Sequence, residues 1–68
     1  MPIVRVSIAA GRSSEKKQAM AKEITETVAR HCDVHPEHVY VLFEDVDPDD
    51  WTVGGDTITE RRRKRGEL

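Results

Sequence analysis

Proline at position 2, directly behind Met1, could do chemistry that no other proline in the chain can. Initiator methionine is normally trimmed when the next side chain is small, and proline usually permits it. Trimming would leave Pro2 with a free secondary amine, a base, whereas a proline nitrogen inside the chain is an amide. The residues that follow, Ile3-Val4-Arg5-Val6-Ser7-Ile8, alternate in the period of a strand. A strand there would carry the amine into the body of the fold instead of leaving it on a frayed end. A second grouping, His31, Cys32, His35 and His38, superficially suggests a metal cluster. Its spacing lacks the paired ligands separated by a long loop that zinc sites show, so no metal is expected.

The chain that must position these groups is short. Sixty-eight residues make one domain, residues 1–68. A lone chain of this size buries only ~60% of its unfolded surface and is marginal. Small domains make up the difference with disulfides, metals or self-association. One cysteine excludes an internal disulfide, which leaves self-association. The net charge of -2 gives no global nucleic-acid signature. No apolar run approaches the ~20 residues of a membrane helix, and no secretory signal precedes the first strand. The expectations are therefore a cytoplasmic protein with neither nucleic-acid nor membrane partners.

Val4, Val6 and Ile8 fall on one face of the first strand, and Ile3, Arg5 and Ser7 on the other. Gly11 breaks the pattern, and Ser13 or Ser14 can cap a helix with Glu15 at its positive end. From Glu15 to Cys32 the period changes: Met20, Ile24, Val28 and Cys32 form an i, i+4 stripe joined by Ala21 and Ala29. Cys32 reads as a small buried member of that stripe. Asp33 and Pro36 mark the helix end. Val39-Tyr40-Val41-Leu42-Phe43 reads as a second strand, apolar on both faces. Gly54-Gly55, between Val53 and Thr57, reads as a tight hairpin. The expected fold is α/β, a short βαβ unit with parallel strands and a C-terminal hairpin. Two strands and one helix leave one sheet face uncovered, so another chain must complete the core. Residues 61–68 read as a basic tail, solvated or paired with the acidic segment 44–50 of a neighbouring subunit.

Pro2 behind Met1, Gly11-Arg12-Ser13 after the first strand, one helix, a second strand and then Trp51-Thr52-Val53-Gly54-Gly55 together resemble the 4-oxalocrotonate tautomerase family. The resemblance spans residues 2–60. It implies a cofactor-free isomerase that uses the amino-terminal proline as base, usually assembled as a hexamer. It places Pro2 as the base, Arg12 as the arginine that contacts the substrate carboxylate and Trp51 as the aromatic wall of the pocket. Tyr40 falls where members acting on dicarboxylates carry a second arginine. A tyrosine offers one neutral hydrogen bond and neither a cation nor a bidentate fork. His38, just before the second strand, either edges the pocket or is an ordinary surface histidine.

The chemistry implied is movement of a proton on a small enol or unsaturated 2-oxo acid. It needs a base unprotonated for much of the time at neutral pH. Burial and a nearby cation such as Arg12 both disfavour an ammonium. Tyr40 is placed to serve the oxygen on which charge builds up. Two other readings stay open: a hydratase, dehalogenase or decarboxylase of the same superfamily, with Glu44, Asp45 or Asp50 activating water, and an inactive oligomeric homologue.

Overall fold

The computed structural model describes residues 1–66. Strand β1 (Ile3–Ala9) leads through a turn into helix α1 (Ser14–Cys32). A 3-10 turn (Pro36–His38) then feeds β2 (Tyr40–Val46). A second 3-10 turn (Pro48–Asp50) precedes the hairpin of β3 (Thr52–Val53) and β4 (Asp56–Thr57), and helix α2 (Ile58–Lys64) closes the order.

β1 and β2 pair in parallel, with Ile3 opposite Tyr40, Arg5 opposite Leu42 and Ser7 opposite Glu44. The expected βαβ unit and hairpin are both present. α1 starts where Ser13 accepts the amide of Lys16 at 3.2 Å, which satisfies a helix-end donor. It stops at Asp33, whose left-handed backbone (φ 54) turns the chain away while the amides of Asp33 and Val34 both reach Ala29 O. In the hairpin, Gly54 and Gly55 both have positive φ (60 and 93), the conformation a two-residue turn between twisted strands requires.

β2 runs three residues beyond the apolar stretch, through Glu44, Asp45 and Val46. Each acid has a partner that makes a strand tolerable there. Ser7 Oγ donates to Glu44 Oε1 at 2.9 Å, and Lys17 Nζ on α1 meets Asp45 Oδ2 at 2.7 Å.

α1 packs over one sheet face, where Val4, Val6, Ile8, Val41 and Phe43 are half-buried. Only Ala9, Ala29 and Val39 are buried apolar residues among those described, and no large side chain is fully enclosed. On the other face Ile3, Tyr40 and Leu42 stand 55%, 46% and 50% exposed. The surface, 5269 Å², exceeds the about 4,300 Å² of a compact monomer of this mass. The radius of gyration, 15.4 Å, exceeds the about 11 Å of a compact chain of this length. A single chain thus lacks a closed core and leaves an apolar sheet face open.

Two expectations are corrected. Cys32 is exposed, because it is the last residue of α1, where the chain turns off at Asp33 and no longer lies over the sheet. The basic stretch is not simply a tail: residues 58–64 form α2, capped where Thr57 accepts the amide of Glu60 at 3.0 Å. Arg63 bonds Glu60 one turn back, and Lys64 pairs with Asp56 of the hairpin at 2.9 Å. Positions 67 and 68 of the expected tail lie outside the described residues. Among the described residues no helix is long and apolar enough to cross a membrane.

Candidate active site

Pro2 is half-buried at the start of β1, and its carbonyl accepts the amide of Tyr40 at 3.0 Å. That bond carries the ladder one residue beyond the strand, so Pro2 is held to the sheet. In this chain Met1 precedes it, 78% exposed, and the Pro2 nitrogen is an amide. Most of the Met1 surface is in solvent, so its loss removes little packing.

Tyr40 begins β2 on the open face, across from Ile3. His38 is exposed two residues earlier, in the 3-10 turn that His35 caps by accepting the amide of Glu37 at 3.1 Å. The two imidazole rings lie 6.1 Å apart. Pro2, His38 and Tyr40 therefore share the leading end of the sheet.

Arg12 and Trp51 belong to the opposite end. Arg12 follows the turn after β1 and is exposed, with Nη1 donating to Ala9 O at 3.0 Å. One donor of the guanidinium fastens the loop and the others stay available for an anion. Trp51 follows the second 3-10 turn, and its carbonyl accepts the amide of Ile58 at 2.8 Å, fastening it to α2. Its ring is 37% exposed and lines a hollow of about 340 Å³ with Ser7, Glu44, Val46, Asp50 and Thr52.

At about 3.3 Å per residue, β1 holds Pro2 roughly 23 Å from Ala9, to which Arg12 is bonded, and about 17 Å from Ser7 in the Trp51 hollow. One chain therefore brings Pro2 together with Tyr40 and His38, but not with Arg12 or Trp51. Sequence reading grouped all five because nothing in a linear pattern says which chain supplies which residue. It also missed Ser7 as a wall of the Trp51 hollow, although the strand alternation had put Ser7 on the open face. Glu44 stood out only as part of an acidic run; its pairing with Ser7 depends on the parallel register. Among the described residues no group of three or more His, Cys, Asp or Glu converges as metal ligands would. His31, Cys32, His35 and His38 are spread over a helix end and a turn.

Comparison with known proteins agrees with this fold. The family profile described as "Tautomerase enzyme" matches residues 2–61. A probable tautomerase of Ralstonia nicotianae is 44% identical over 55 residues, 81% of this chain and 85% of that protein. One from Halalkalibacterium halodurans is 38% identical over 61 residues, 90% of this chain and all of its relative. Among solved structures, a 4-oxalocrotonate tautomerase isozyme of Methylibium petroleiphilum superposes with a TM-score of 0.88 at 32% identity, over 93% of this chain and 98% of the other. A heterohexameric 4-oxalocrotonate tautomerase of Chloroflexus aurantiacus gives 0.84 at 33% identity, over 88% and 97%.

Proposed function

This chain belongs to the tautomerase family, and we propose that it is a cofactor-independent keto–enol tautomerase of small enol or unsaturated 2-oxo acids, with Pro2 as general base once Met1 is removed. The observation that carries the reading is the Tyr40–Pro2 backbone bond. It fixes the residue that would bear the amine at a defined point of the sheet, next to the apolar open face.

The site is completed between chains. Pro2 and Tyr40 of one copy meet Arg12 and Trp51 of another, since β1 holds the two halves apart within a chain. The open face of Ile3, Tyr40 and Leu42 is the surface that drives the association. Relatives that assemble, such as the Chloroflexus heterohexamer, support an oligomer here, and a homohexamer is the assembly we assign.

In the assembled site an apolar wall of Trp51 excludes water and strengthens the remaining electrostatics. Low polarity disfavours the prolyl ammonium and so keeps the amine unprotonated, free to accept a proton, at neutral pH. Arg12 holds the acid group by charge-assisted hydrogen bonds and places the substrate. The amine takes a proton from the enol oxygen or a carbon and returns it to another carbon. The Tyr40 hydroxyl donates to the keto or enolate oxygen, where charge develops, and His38 edges the entrance. Ketonisation of an arylpyruvate enol by Pro2→Ala tests this, with a loss of ~10²-fold or more in kcat expected for removal of a positioned base. Wild-type turnover in that variant would refute it.

A second reading has one observation in its favour. Glu44 is fixed by Ser7 in the hollow beside Trp51, a carboxylate positioned to activate water as a hydratase or dehalogenase would need. Products formed from an unsaturated acid separate the two: an isomer for the first reading, a hydrated acid for the second.

A further inference from the structure

The charges of the C-terminal third are segregated. Segment 44–50 carries Glu44, Asp45, Asp47, Asp49 and Asp50, and segment 61–65 carries Arg61, Arg62, Arg63, Lys64 and Arg65. α2 packs against the Pro48–Asp50 turn of its own chain. Even so, the ion pairs that α2 makes run to Glu60 and to Asp56 of the hairpin. Among the described residues neither Arg61 nor Arg62 forms an ion pair or side-chain hydrogen bond, and neither do the carboxylates of Asp49 and Asp50. Arg61, Asp49 and Asp50 are exposed, and Arg62 is half-buried. Arg61 and Arg62 on one side and Asp49 and Asp50 on the other thus carry opposite charges without an ion pair in the chain that holds them.

We infer that the basic face of α2, centred on Arg61 and Arg62, docks on the acidic 48–50 turn of a second copy of this chain. The contact joins two different patches, so it closes either reciprocally between two copies or head-to-tail around a ring. It is distinct from the open sheet face, where Ile3, Tyr40 and Leu42 offer apolar surface beside Arg5. The sheet face supplies the apolar contact area. The charged contact selects the register and rejects displaced arrangements, in which like charges would meet. It also makes assembly sensitive to ionic strength, because exposed charges are screened within about 8 Å at physiological salt. The inference rests on the reading above that the chain self-associates, and the test separates the two.

The test is a charge swap read by light scattering and analytical ultracentrifugation over a protein dilution series. Wild type is expected to dissociate at higher protein concentration as salt is raised from 50 to about 500 mM. Arg61→Glu/Arg62→Glu and, separately, Asp49→Lys/Asp50→Lys should each raise the dissociation concentration by at least tenfold at low salt, with unchanged circular dichroism. The four-fold variant restores every contact and should return to within about threefold of wild type, and an equimolar mixture of the two doubles, which pairs each reversed patch with its complement, should also recover assembly. Reversals that leave assembly unchanged, or a four-fold variant no better than either double, would overturn the inference while leaving the oligomer intact. Wild type monomeric at all concentrations would overturn both. If assembly ignores the swap while Arg61→Glu/Arg62→Glu abolishes binding of a DNA duplex at 150 mM salt, the basic face serves a nucleic acid and the inference is likewise wrong.

Discussion

The amide of Tyr40 donates to the carbonyl of Pro2 at 3.0 Å, so the residue that departs from the dicarboxylate-specific pattern is tied to the residue assigned as base. The bond is made by backbone atoms. Substitution at position 40 therefore changes what the side chain offers a substrate while leaving Pro2 in place. Tyr40→Arg should move preference towards diacids by supplying a second cationic fork. Tyr40→Phe should cost about as much as loss of Arg12 if the hydroxyl serves the enolate, and much less if the ring only packs. Kinetics on one monoacid and one diacid decide this; a wild type that prefers the diacid would contradict the assignment.

Arg12 donates to Ala9 O in the structure, and the proposed site gives it the substrate carboxylate as well. Arg12→Ala removes the carboxylate contact and should lower kcat/KM by about tenfold or more, since a charge-assisted hydrogen bond is worth ~1.5–3 kcal/mol. It also removes the bond to Ala9 O. Arg12→Lys keeps a charge without the fork and should fall between wild type and alanine. Equal activity of all three on a monoacid would remove Arg12 from the site.

The open sheet face predicts the effect of a single charge on assembly. Leu42 is 50% exposed in one chain and lies across from Arg5 on that face. Leu42→Asp should leave the helix content unchanged and convert the oligomer to smaller species. Light scattering of wild type should give about six times the 7.7 kDa chain mass. A folded wild-type monomer at micromolar concentration would refute the assembly and, with it, a site shared between chains.

What the sequence made legible follows from how local each signal was. The alternation of Ile3 to Ile8, the stripe from Met20 to Val28 and the Gly54-Gly55 turn depend on near neighbours, and all three stand in the structure. Cys32 read as buried because periodicity does not say where the helix passes the end of the sheet. The extension of β2 through Glu44 and Asp45 was hidden because two acids read as loop until Ser7 and Lys17, distant in the chain, supply their partners. α2 was hidden because a basic run looks solvated, whereas Thr57 caps it and Glu60 and Asp56 neutralise part of it. Four of the five candidate positions, Pro2, Arg12, Tyr40 and Trp51, were visible through the resemblance, and His38 only through its place just before the second strand. Their division between the two ends of β1 emerges only from the strand itself.

α2 should respond to acid. The hydrogen bond and charge of Arg63 hold the Glu60 carboxyl below its ordinary value of 4.5. A lowered folded-state value means that the pair stabilises the helix above about pH 4.5 and that this contribution is lost as pH falls through the lowered value. Both side chains are solvated, so the effect is small. Amide exchange in residues 58–64 should be faster in Glu60→Gln than in wild type at neutral pH, and the difference should shrink in acid. A difference that grows as pH falls would have the wrong sign.

If the Pro2 nitrogen is the base, activity must depend on processing of the amino terminus. Intact mass of purified protein should show a chain lighter by one methionine, with full tautomerase turnover. A form in which Met1 is retained should be folded and assembled yet inactive, because its Pro2 nitrogen is an amide. Full activity in protein that carries Met1 would contradict the account outright.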